Sequence, residues 1–326
     1  MSFQIITKRK RAILLLAFCA FPALFYSQVQ QHSPKVLFAI ETFAYLKGQS
    51  AALKTIARQF PKLKPKVAAV ENNAEISFSR AERNIERFLQ DELTGSEFMT
   101  LQQRIDSLLT LQLQNPIKKE KYAVDFLQKV SKGTHFIADT LRSKGILSFA
   151  YHDTPHQEIK DGYSTTFTTK NHPKADQAVL KIPIPSSWLA EEADMPETVQ
   201  QFTSYYGKGD EKIVIVVYDL PDERQQVILN KKSVLQMIPP ESKLIRINNV
   251  KIDGIAGVMV EVEQLLNTQE NRMKIRMLQF MFTQKQKLYC LQGSIGPVEA
   301  HKNLDLHIKK YEPLFRLVAS NTEIEN

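Results

Sequence analysis

The hydrophobic period of this chain changes near residue 145, and that change limits its possible folds more than any other feature. From about Lys66 to Leu93, Val67, Val70, Ala74, Phe78, Ala81, Ile85 and Phe88 recur at steps of three and four. This spacing places them on one stripe of a helix. An earlier helix is predicted over about Val36 to Phe60, using Ile40, Phe43, Leu53 and Ile56, with Gly48 a point of weakness and Pro61 and Pro65 bracketing the next turn. A third begins near Ser96 and stops before Asn115-Pro116, because the residue before a proline is pushed out of the helical region. A fourth follows Pro116 through Ala123, Phe126, Leu127 and Val130 to Gly133, and a short piece around Ile137 and Leu141 reaches Gly145. Short connections between successive helices favour an antiparallel bundle.

Beyond Gly145 the period moves towards two. Ile146 to Tyr151, Tyr163 to Thr169, Val179 to Pro185, Val199 to Tyr206, Ile213 to Tyr218, Leu244 to Asn248 and Val258 to Val262 read as strands. Met273 to Phe282 and Lys287 to Gln292 read as a pair joined by residues 283–286. Tyr206-Gly207-Lys208-Gly209-Asp210 has the chemistry of a hairpin turn, and Asp253-Gly254 is a second turn. One helix is predicted within Asp222 to Ile238 and another over about Val298 to Ala319, striped by Leu304, Ile308, Tyr311 and Phe315. Strands in runs with helices set apart indicate an α+β class: an antiparallel helical domain over 34–144, then an antiparallel sheet flanked by helices over 145–326.

Residues 1–27 read as a secretory signal peptide. Lys8-Arg9-Lys10-Arg11 supplies the positive region, Ala12 to Tyr26 the uncharged apolar region, and Ser27 the small residue at the exit. The apolar run holds Pro22 and falls short of the about 20 residues a spanning helix needs, so cleavage after Ser27 is expected and no transmembrane segment remains after it. A lipoprotein reading would use Cys19, but Phe18 stands where a small residue is wanted.

The full chain has 43 basic and 35 acidic residues. The signal takes four of the basic ones, which lowers the net charge from +8 to +4. Residues 34–144 carry 18 basic against 12 acidic residues, and residues 145–326 carry 21 against 23. The excess is scattered over one helical surface, so it points to no nucleic-acid partner, although it could attract an anionic surface. Loss of Cys19 leaves Cys290 without an intramolecular partner; in Leu288-Tyr289-Cys290-Leu291 it reads as a buried small hydrophobe.

The second half resembles the PsbP-like fold family, which includes the extrinsic P protein of the oxygen-evolving complex and DcrB-type bacterial envelope proteins. The resemblance rests on Ile182-Pro183-Ile184-Pro185-Ser186-Ser187-Trp188, the strand Ile213 to Val217, and Val250 to Gly257. The long hairpin from about Met273 to Gly293 and the closing Tyr311-Glu312-Pro313-Leu314-Phe315 also carry it. It covers roughly residues 177–326. The whole chain is similar to exported Bacteroidetes-type proteins with a helical segment ahead of such a domain. The resemblance implies an antiparallel sheet flanked by helices and a non-catalytic, partner-binding role; it carries over no site residue.

No P-loop, G-x-G-x-x-G, H-E-x-x-H, C-x-x-C or G-x-S-x-G occurs, so no catalytic residue and no cofactor is assigned. Gly293-Ser294-Ile295-Gly296 lacks the spacing of a nucleophile elbow. His152, Asp153 and His156, with Glu158 and Asp161 nearby, have metal-ligand chemistry, but Thr154-Pro155 makes a polar loop between strands the simpler account. His301 and Asp305 stand four apart on the last predicted helix, as a surface pair would. Trp188 reads as a core anchor with ligand stacking as the alternative. Tyr205 and Tyr206 could present aromatic surface to a partner. The sequence is therefore expected to encode an exported, non-catalytic binding or assembly protein of the bacterial envelope, periplasmic or secreted, with another envelope protein as partner. The alternatives are a metal-dependent or other hydrolase with a site near His152 to Asp161, and a peripheral binder of anionic envelope surfaces through the basic helical domain.

Overall fold

The computed structural model describes residues 32–74, 78–133, 140–175, 177–193, 197–220, 229–238, 242–267 and 272–325. The signal segment lies outside them.

The helical half opens with α1 (Pro34–Gln59), capped by the Ser33 hydroxyl, which accepts from Val36 N. Gly48 is buried inside α1 without ending it. Where one helix is predicted over 66–93, two elements are described, α2 (Lys64–Ala74) and α3 (Arg80–Glu92). Their shared stripe serves two cores. Val67 and Val70 pack with Leu53 and Ile56 of α1, whereas Ala81, Ile85 and Phe88 pack with Phe38 and Phe43. α4 (Gly95–Leu113) starts at a capping box made by Thr94 and Glu97, and α5 (Glu120–Gly133) follows.

The boundary expected at 145 falls inside α6 (Leu141–Ala150). The predicted strand at Ile146 to Tyr151 is thus a helix. All of Ile146, Leu147, Ser148, Phe149 and Ala150 are buried, and a short run buried on every side has no period by which to tell helix from strand. The polar loop predicted at 152–161 likewise contains a short helix, α7 (His156–Lys160).

The strands form two antiparallel sheets. β1 (Ser164–Thr168), β2 (Val179–Pro185) and β10 (Glu323–Glu325) make the smaller one, in the order β1-β2-β10. The larger comprises β3 (Leu189–Glu191), β4 (Thr198–Thr203), β5 (Glu211–Asp219), β6 (Ser242–Ile252), β7 (Ile255–Asn267), β8 (Arg272–Gln284) and β9 (Lys287–Glu299). Its order is β3-β4-β5-β9-β8-β7-β6. The predicted hairpins are present: β4 pairs with β5, β6 with β7 across Asp253-Gly254, and β8 with β9. β9 runs on to Glu299, so the last helix, α9 (Asp305–Ser320), starts later than predicted.

Both faces of the large sheet are covered. Ile213, Ile215, Leu278, Phe280 and Leu291 face a core completed by α9 and β2. Val214, Val216, Val260 and Met281 face the opposite way, against Val234 of α8 (Lys231–Met237). This explains why β5 reads as an unbroken apolar run. The α+β class inferred from the period is the class of the structure.

Candidate functional site

A buried polar cluster lies where the helical half meets the sheet. It is built around Glu211, the first residue of β5, which is fully buried. Glu211 Oε1 accepts from His307 Nε2 of α9 at 2.6 Å and lies 3.5 Å from Lys35 Nζ in the first turn of α1. Glu211 Oε2 accepts from the Ser204 hydroxyl.

A turn of unusual backbone holds this constellation in place. Tyr205, Tyr206 and Gly207 follow β4 with φ of 49°, 53° and 83°, three successive residues in the left-handed region, which costs of order 1 kcal/mol or more for each non-glycine residue. Gly209 completes the turn through a bond from its N to Ser204 O. Any side chain there would collide with Ser204 Oγ and the Glu211 carboxylate.

The turn drives the Tyr205 ring inwards, where it is 3% exposed. It packs 5.2 Å from Phe149 of α6 and beneath Lys35 Nζ, which stands 4.1 Å above its centroid. Tyr205 Oη is 2.6 Å from His152 Nδ1. Two residues nominated separately from the sequence, His152 for metal and Tyr205 for a partner, are therefore bonded to each other. Tyr206 is half-buried against the helical core, its N donating to Ser187 O.

The electrostatics follow from burial and from one ion pair. Burial would raise the Glu211 carboxyl, but Lys35 and His307 outweigh it and hold it well below the usual range. Burial opposes the charge on Lys35, yet Glu211 and its neighbours raise its pKa. Burial, with repulsion from Lys310 and Lys35, lowers His152 to about 3, so its imidazole is neutral. Burial pushes Tyr205 up to about 12 and Tyr311 well above its ordinary value. Lys310, at the margin, is lowered to about 8 by burial and by Lys35.

A second buried carboxylate supports the Pro-x-x-Trp turn. Glu158 of α7 accepts from Ser187 N and from Ser187 Oγ, each at 2.8 Å. Burial raises it to about 8 against those two bonds and the nearby Lys144. Lys144 itself donates to Ser186 O at 2.6 Å, which ties α6 to the same turn.

The other sequence candidates scatter. Asp153 pairs at the surface with Arg87, at 2.9 Å, and its Oδ1 is 4.0 Å from His152 Nε2. His156 lines a separate hollow beside α9, and Asp161 accepts from the Tyr151 hydroxyl at 2.7 Å. Among the described residues no three His, Cys, Asp or Glu side chains converge to hold a metal ion. His301 lies before α9 and pairs with Glu299, while Asp305 takes Arg276, so the two do not share a helix face. Trp188 is in the sheet core, edge-on to Tyr311. Cys290 is buried on the other face, its thiol pushed up to about 12 by burial. Ser294 is buried within β9. The sequence reading missed Lys35, Glu211 and His307. None of them stands on a predicted apolar stripe or strand, so no local signal marks them; they meet from distant parts of the chain.

These features define a class, an α+β protein whose helical layer is fastened to its sheet by a buried ionic cluster. No protein-family model and no curated protein matches the chain. Among solved structures it is similar to LpqN of Mycobacterium tuberculosis, described as involved in cell envelope biogenesis. The identity is 11% and the TM-score 0.32, over 53% of this chain and 98% of that one. It is also similar to PA94 of Pseudomonas aeruginosa, a protein of unknown function, at 13% identity and TM-score 0.26, over 49% of this chain and 96% of that one. Similarity at this level carries no role across. No helix among the described residues is long and apolar enough to cross a membrane.

Proposed function

We propose that the chain is an exported, non-catalytic binding or assembly protein of the bacterial cell envelope, with another envelope protein as its partner. In this reading the Glu211 cluster fixes the pose of the helical layer on a PsbP-like sheet half. The observation that supports it is the closure of that cluster. Both Glu211 oxygens are taken by Lys35, His307 and Ser204, and the Tyr205 hydroxyl by His152. A general acid or base must come within hydrogen-bond reach of a substrate, and Glu211 and Tyr205 are sealed from solvent. Export is the reading of Lys8 to Ser27.

The test has three arms. The full chain, tagged at its C-terminus and made in a bacterial host, is expected in the periplasmic or extracellular fraction with Gln28 as its first residue. Cytosolic protein that keeps Met1 would overturn export. Crosslinking in the intact cell is expected to recover a defined envelope protein, and repeated recovery of none would remove the partner. Elemental analysis is expected to find no stoichiometric zinc. Zinc that disappears in the double variant His152→Ala, His156→Ala would favour a metalloenzyme instead.

A further inference from the structure

Between α7, α9 and the turn end of β6 lies a hollow of about 480 Å³, within the size range of small-molecule sites. Its floor is apolar, with Val250, Phe280 and Leu317 on it. Its rim is basic: Lys160 comes from α7, Lys251 from β6 and Arg316 from α9, and no acidic side chain is among the lining residues. Arg316 is already held by Glu312, whose Oε1 accepts from its Nε at 2.7 Å. The uncompensated charge over the floor therefore belongs to Lys160 and Lys251. A further polar group lines the same space. His156 Nδ1 is shielded from solvent and has no hydrogen-bond partner among the described residues. That atom is therefore out of reach of a ligand in the open hollow, and His156 serves only as part of the wall.

We propose that this hollow binds a small amphiphilic anion, with its charged headgroup between Lys160 and Lys251 and its aliphatic body over Val250, Phe280 and Leu317. The charge complementarity selects an anion over a neutral or cationic amphiphile, and the apolar floor selects an amphiphile over a bare anion. The site is independent of the Glu211 cluster and of any protein partner.

Calorimetric titration of the purified chain with decanoate tests this, with decanol and inorganic phosphate as controls. Decanoate is expected to bind saturably and to protect Lys160 and Lys251 from reductive methylation. Decanol and phosphate are each expected to bind at least about tenfold more weakly. The double variant Lys160→Glu, Lys251→Glu is expected to lose about tenfold or more in decanoate affinity with an unchanged thermal melt, because neither lysine belongs to the core. Equal affinity for decanol or for phosphate would overturn the proposal. So would an unchanged affinity in the variant, protection of neither lysine, or no saturation below about 1 mM.

Discussion

At the scale of single residues, two buried carboxylates set opposite dependences of stability on pH. Glu211 is ionised in the fold and held below its ordinary pKa, chiefly by Lys35 in opposition to burial. Its contribution is therefore present above its unfolded value, near 4.5, and is lost as pH falls through the lower folded value. Glu211→Gln strands Lys35 beside a neutral side chain and is expected to cost about 3–5 kcal/mol at pH 7, read from urea midpoints. A variant as stable as the parent would show that the pair holds nothing together. Glu158 behaves in reverse. Its folded pKa is raised to about 8 by burial, so the folded state keeps a proton that the unfolded state releases, and stability falls as pH climbs from about 4.5 to about 8, levelling off above. Glu158→Gln retains an acceptor for Ser187 N and, like the protonated Glu158, a donor for Ser187 Oγ, but it does not titrate. Urea titrations from pH 5 to 9 should show that slope reduced and the variant more stable than the parent at pH 9; a parallel pair of curves would assign the slope to other groups.

At the scale of elements, the packing of α9 on β9 depends on one missing side chain. A methyl on Gly293 would stand 2.1 Å from Phe315 Cγ, at the attached end of the ring that seats α9 on the sheet. Gly293→Ala is expected to destabilise by about 1–3 kcal/mol through overpacking. Adding Phe315→Ala, which opens the space, should make the double variant's loss smaller than the sum of the two single losses. Strict additivity would mean that the ring moves aside freely. Neither residue could be paired with the other from sequence, although each lay in a predicted element. Elements whose faces differ were legible: the stripe of α3 and the hairpins flanking Asp253-Gly254 are marked by period and turn chemistry. Ile146 to Ala150 was not, because burial on all sides erases the period. The left-handed turn was legible only as a turn from Tyr206 onwards, with Tyr205 read as part of a strand that in fact ends at Thr203. That its tyrosine would point inwards depends on Phe149 and Lys35, which approach from the other half of the chain. The candidate site was thus visible as two isolated nominations, His152 and Tyr205, without the buried ion pair that links their surroundings.

At the scale of the molecule, the boundary read at 145 falls inside α6, helices continue to Lys160, and the contacts run across it. Tyr205 sits in the same core as Phe38, Phe88 and Phe149. Lys35 reaches Glu211, Lys144 reaches Ser186, and Asn84 donates to Phe149 O at 2.8 Å. A fragment starting at 145 would begin inside α6, leave Glu211 buried without Lys35, and uncover the Tyr205 ring. It is expected to lack the near-ultraviolet circular dichroism of a packed domain, and to gain it when residues 34–144 are supplied. The intact chain offers a sharper measurement, because its single tryptophan, Trp188, lies in the sheet core. Trp188 fluorescence therefore follows the sheet half, whereas far-ultraviolet circular dichroism is weighted towards the helices. In the parent protein the two urea transitions should coincide, as they do when one cooperative unit unfolds. In the double variant Lys35→Met, Tyr205→Ala the helical transition should move to lower urea than the Trp188 transition, because the joint is weakened while both cores keep most of their own contacts. Separate transitions in the parent would make the two halves independent and reduce the Glu211 cluster to a local contact. Coincident transitions in both proteins would place the coupling elsewhere, in the α6 helix that runs through the boundary.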